Sequence, residues 1–123
     1  MTSIIKTNLS IEYGTNTNGA YYKFSDGTLI CTKMVTFSSV SITKAFGSWY
    51  ESTATQNFGN WAHAFTALPS VIIQCVNDSS SKTALVEMLG QRSATAIGVA
   101  YLMRPTSDTH RCAYSVIGIG RWK

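Results

Sequence analysis

The chain has 123 residues, 45% of them hydrophobic and only 13% charged, and a formal net charge of +4. That length suits one domain able to bury a core without disulfides or metals. The ten basic residues are scattered with no run of four, which argues against a nucleic-acid interface and leaves a mildly basic surface. The charged fraction is about half the usual one, so part of the surface is expected to be covered by an oligomer or a partner.

In chain order, residues 1–18 are polar and rich in Thr and Asn, and read as a lead-in or linker. Residues 19–123 read as a succession of short strands. Tyr21-Tyr22-Lys23-Phe24 is aromatic-rich, as strands prefer. Asp26-Gly27 supplies a tight turn, because Gly accepts positive φ at no steric cost. Thr28 to Thr36 then runs as a second strand. Val40 to Phe46 alternates apolar and polar residues, the pattern of a half-buried strand. Trp49-Tyr50-Glu51 follows the Gly47-Ser48 break as another short strand. Val71 to Val76 is a continuous apolar run, expected to be buried on both faces. Asn77 to Ser81 is a loop by composition. Ala84 to Leu89 fits a strand or a helix, with length and surroundings favouring a strand, and Ile97 to Met103 reads as another strand. Arg104 to His110 is a turn-rich loop. Cys112 to Trp122 closes the chain, with Cys112, Tyr114 and Val116 on one face. No stretch beyond about ten residues has helical periodicity. The expectation is an antiparallel β-sandwich of about six to eight strands.

Cys31, Cys75 and Cys112 lie too far apart for a C-x-x-C metal or redox motif. Each sits in an apolar run and is expected to be a buried free thiol, which suits folding in a reducing cytoplasm. Met1 to Lys6 lacks the apolar core of a signal peptide, and no apolar run of about 18 residues is present, so no membrane insertion is expected.

Two stretches carry resemblances. Tyr21 to Cys31, then Gly59-Asn60-Trp61, then Ile119-Gly120-Arg121-Trp122-Lys123 resemble the distal domain of phage and prophage tail-fibre proteins, over about residues 18–123. Ala64 to Val71 and Val116 to Ile119 are similar to the H-type lectin outline. These resemblances imply a homotrimeric sandwich at a fibre tip, with residues 1–18 as the end of a shaft. They imply a place in the virion after assembly in the bacterial host cytoplasm. The implied partners are the rest of the tail fibre and a host-cell surface glycan. H-type lectins carry a Trp-His pair at the end of the penultimate strand, where this chain has Met103-Arg104-Pro105. They also carry an Arg where it has Lys82-Thr83-Ala84. Sugar specificity is therefore not carried over.

Chemistry is sparse. No G-x-S-x-G, H-E-x-x-H or phosphate loop appears, and nothing in spacing pairs Glu51 with Glu87. No enzyme activity, cofactor or metal is expected, and His63 reads as a structural histidine. The expected ligand contacts are Trp61, Arg104, Asp108 and His110. Trp61 follows a Gly59-Asn60 turn signal and is expected to be exposed, with its ring offered to sugar C–H groups. Arg104 to Arg111 groups donors and acceptors suited to a polyhydroxyl ligand, and Asn77 to Lys82 is a second such stretch. The competing reading of the first loop is a solvated turn with an internal Arg–Asp pair. A fibre-capping module without ligand and a polysaccharide-degrading enzyme are the competing functions.

Overall fold

The structure is a computed structural model and describes residues 9–76 and 81–123, with backbone alone at 88 and 89. Nine strands follow one another: β1 (Ile11–Asn16), β2 (Gly19–Phe24), β3 (Thr28–Phe46), β4 (Trp49–Ser52), β5 (Gln56–Asn57), β6 (Ser70–Val76), β7 (Leu85–Gly90), β8 (Val99–Arg104) and β9 (Asp108–Arg121). Every pairing between them is antiparallel. No helix occurs among the described residues. The fold is an all-β, curled antiparallel sheet. It has one strand more than the upper expectation, the extra being the two-residue β5.

The β2–β3 turn forms where expected. Gly27 has φ +102°. Its amide donates to the Phe24 carbonyl at 2.9 Å, and the Thr28 amide donates to Asp26 Oδ1 at 2.9 Å. These bonds from Thr28 hold the Asp26 carboxyl below its usual range. Thr28–Thr36 and Val40–Phe46, read as separate strands, are one 19-residue strand. An irregularity between Phe37 and Val40 interrupts its pairing with β9, and such a break bends a strand without ending it.

β3 and β9 form the spine, in register from Thr28↔Arg121 to Ile42↔Asp108. β2 and then β1 extend the sheet from β3, and β6 extends it from β9. The far end of β3 pairs with β4, which passes the sheet to β8. β8 in turn carries β5 and β7. The sheet curls until β6 and β7 approach across an apolar groove of about 400 Å³ lined by Val71, Ile73, Cys75 and Val86. Leu29, Cys31, Tyr114 and Val116 of the spine share one core with Ala100 and Leu102 of β8. Each large side chain so buried contributes about 1.5–3 kcal/mol.

Two expectations need correction. β1 lies inside the stretch read as a lead-in, yet it is paired with β2 from end to end. Val71 to Val76 is not buried on both faces: β6 pairs only with β9 among the described residues, and Ile72 is 57% exposed. The described residues cover only one face of the sheet here, so an apolar run leaves alternate residues in solvent, and Ile119 of the central β9 is likewise 43% exposed. Residues 58–69 form no extended strand. They cross the inner face of the spine instead, where Trp61 meets Gly118 and Phe65 meets Gly120. Those two glycines leave the room that the rings fill. The loop read at 77–81 lies outside the described residues except for Ser81.

Cys31 and Cys112 are buried free thiols, whereas Cys75 is half-buried at the β6–β7 groove. Burial pushes the Cys112 thiol up to about 11 and raises Cys31 as well. At pH 8 both stay protonated, and the thiolate is the reactive form. In the native protein, a thiol reagent is therefore expected to label Cys75 first, as read by mass spectrometry of timed digests. Gly118→Ala would place a Cβ 2.7 Å from the Trp61 ring. It is expected to lower stability by about 1–3 kcal/mol in urea denaturation.

Candidate functional site

Arg104 ends β8, Asp108 opens β9, and the Pro105-Thr106-Ser107 turn lies between them. Asp108 and His110 are two apart on one strand and share a face. The turn therefore brings the residues on either side of it together. Arg104 Nη1 donates to His110 Nε2 at 2.8 Å and stands 3.6 Å from Asp108 Oδ2. Lys82 reaches the same carboxylate oxygen at 2.5 Å from outside the hairpin. Its main chain is pinned by the Lys82 amide, which donates to the Arg111 carbonyl at 3.1 Å.

The hydrogen bonds orient the imidazole. With Nε2 accepting from Arg104, the proton belongs on Nδ1, which donates to the Arg111 carbonyl at 3.0 Å. Cys112 Sγ lies 3.5 Å from the same nitrogen. The Lys82 ammonium, followed by the Thr109 amide, holds the Asp108 carboxyl below its ordinary range. Arg104 keeps 18% of its side chain exposed, and its Nε is buried with no hydrogen-bond partner among the described residues. The result is an ordered set of donors around one carboxylate, at a solvent-facing turn. Such a set can bind hydroxyls or an anion, and it can also simply brace the turn.

Of the four expected contacts, Arg104, Asp108 and His110 come together. Trp61 does not join them. It is 4% exposed and stands edge-on to Phe65 at 5.6 Å between centroids. The exposure expected from the Gly59-Asn60 turn is not found, because the turn points the ring at Gly118 rather than outward. Lys82 is the residue that joins instead. It belongs to the second stretch read as a candidate, and only the fold shows that the two stretches meet. Its signal in the sequence was a lone cation beside a Ser-rich loop, which does not specify a distant partner.

Three other polar side chains are engaged away from this turn. Lys33 Nζ donates to the Phe58 carbonyl at 3.0 Å, and burial pulls its amine below the ordinary lysine range. Glu51 is drawn to Lys44 at 3.4 Å. The His63 ring packs on Tyr21 at 5.1 Å. Among the described residues no group of three His, Cys, Asp or Glu side chains is placed to hold a metal ion.

The depressed Asp108 carboxyl contributes stability that is fully present above its ordinary value of 3.8 and is lost as pH falls through the lower folded value. Asp108→Asn is therefore expected to melt below the wild type at pH 7, and the gap is expected to close in strong acid. Parallel melts from pH 7 down to pH 2 check this. Comparison with protein-family models, with curated proteins and with solved structures gives no match to this chain.

Proposed function

We propose that this chain is the tip domain of a phage tail fibre, a homotrimeric β-sandwich of H-type lectin-like form that binds a host-cell surface glycan. The resemblance of residues 18–123 to tail-fibre tips supplies the biological setting. The observation that carries the binding role is the cluster of Arg104, Asp108, His110 and Lys82 at the β8–β9 turn. A polyhydroxyl ligand needs donors and acceptors held in fixed positions, and this cluster presents both. Binding at each site would be weak, and several sites on one fibre would multiply it through effective concentration. The reading calls for no turnover and no cofactor. Assembly takes place in the host cytoplasm, and the mature domain sits in the virion.

A second reading is a capping module without ligand. It is favoured by the internal pairing of Asp108 with both cations, which leaves that carboxylate satisfied without a guest. Adsorption separates the two. The labelled chain is expected to bind some members of a panel of bacterial cells. The double variant Arg104→Ala, His110→Ala is expected to lose about tenfold or more of that binding, since a bond to a charged group contributes about 1.5–3 kcal/mol. Undiminished adsorption by the double variant rejects these residues as contacts. Adsorption to no cell in the panel favours the capping module.

A further inference from the structure

We infer that the β8–β9 turn takes an oxyanion, the carboxylate or phosphate group of an acidic glycan, against Lys82 and Arg104. The inference rests on the glycan-binding reading of the proposed function and names the chemical class that this site selects.

The acceptors at the turn are nearly all in use. A carboxylate has about four lone-pair sites. Oδ2 of Asp108 accepts from Lys82 Nζ at 2.5 Å and lies 3.6 Å from Arg104 Nη1. Oδ1 accepts from the Thr109 amide at 2.8 Å. One site on Oδ1 is left. The accepting nitrogen of the His110 ring, Nε2, takes the Arg104 bond at 2.8 Å, while Nδ1 donates to the Arg111 carbonyl at 3.0 Å.

The donors are in surplus. An ammonium carries three N–H groups and a guanidinium five. Lys82 spends one on Asp108, and its side chain is 53% exposed. Arg104 commits only Nη1, to His110 and toward Asp108. Its Nε has no hydrogen-bond partner among the described residues.

Charge points the same way. Two permanent cations face one carboxylate here, and the whole chain carries +4. Asp108 opposes an incoming anion, but the two cations outnumber it. Glu51, opposite Met103 on the neighbouring strand, is drawn to Lys44 at 3.4 Å.

A neutral sugar brings donors and acceptors together. At this turn its hydroxyl protons find the last site on Oδ1 and the exposed Thr106 and Ser107, while most protein donors go unmatched. A polar group that gives up water without a partner loses affinity. An oxyanion only accepts, and a charge-assisted bond is about twice as strong as a neutral one. The ring hydroxyls of an acidic sugar then use Thr106, Ser107 and Oδ1, and its anionic group uses the surplus donors.

The test titrates the isotope-labelled whole chain and follows the amide NMR signals of Lys82, Thr109 and His110. Trigalacturonate carries carboxylates, its methyl ester keeps the ring hydroxyls without the charge, and a glycerol-phosphate oligomer carries phosphate. Trigalacturonate or the phosphate oligomer is expected to shift these signals, and the one that does so identifies the oxyanion. The methyl ester is expected to bind about tenfold or more weakly, and Lys82→Gln to weaken the anion by about tenfold. Lys123→Gln removes the same charge beyond the opposite end of the spine and should leave the affinity as in the wild type. Raising salt from about 50 to about 500 mM should weaken the anion. An ester that binds as tightly as the acid overturns the inference. So does an anion held equally well by Lys82→Gln, or no shift with any probe. The ester comparison needs no variant. A chain that adsorbs to cells but ignores both anions loses the oxyanion site and keeps the receptor-binding reading. One that binds an anion but adsorbs to no cell keeps the site and loses that reading.

Discussion

The pairing of β3 with β9 is the constraint on which everything else depends. It joins Thr28 to Arg121 and Ile42 to Asp108, so the chain must close a loop of at least 66 residues before that ladder exists. Loop closure costs entropy that rises only slowly with length, but non-local pairing is slow to find. Once formed, the spine offers its edges to three strands, and the remaining strands attach through those. β2 and β4 dock along β3, and β6 docks along β9.

The spine also sets the core. Its inner face presents Leu29, Cys31, Tyr114 and Val116, and the gaps at Gly118 and Gly120 receive Trp61 and Phe65. Phe37, Phe58 and Tyr114 form an aromatic cluster beside them, with centroids 5.1 Å to 6.2 Å apart in tilted and edge-on arrangements. Tyr114 is wholly buried and satisfies its hydroxyl by donating to the Ala84 carbonyl at 2.8 Å. That bond ties β9 to the segment leading into β7, so a polar atom in the core fastens one side of the curl to the other. Trp122 performs a similar task at the chain end. Its Nε1 donates to the Phe24 carbonyl at 2.7 Å, and the Lys23 ammonium sits over its ring at 4.3 Å.

At its other end the spine builds the polar cluster. Asp108 begins the strand that the spine requires, and Arg104 ends the strand before it. Their approach is local and was visible in the spacing of the two residues. The arrival of Lys82 was not, because it depends on the parallel bridge between Ser81 and Arg111, a contact between segments thirty residues apart. The same distinction explains Trp61. A Gly-Asn turn marks a change of direction, but the direction is taken relative to a sheet assembled from distant residues.

The sequence by itself determined what is local. Alternation and β-branched or aromatic runs specified strands, and Asp26-Gly27 specified a turn. Backbone sterics and side-chain periodicity act over a few residues, so these features are readable one segment at a time. Only the tertiary structure decided which strands lie at edges, which faces meet solvent and which polar groups converge. Val71 to Val76 has the composition of a strand buried on both faces, and Ile72 is exposed because nothing among the described residues packs over the outer face of the sheet at β6. Burial is a property of what lies opposite a residue, and here that is fixed by pairings between residues as much as ninety-three positions apart.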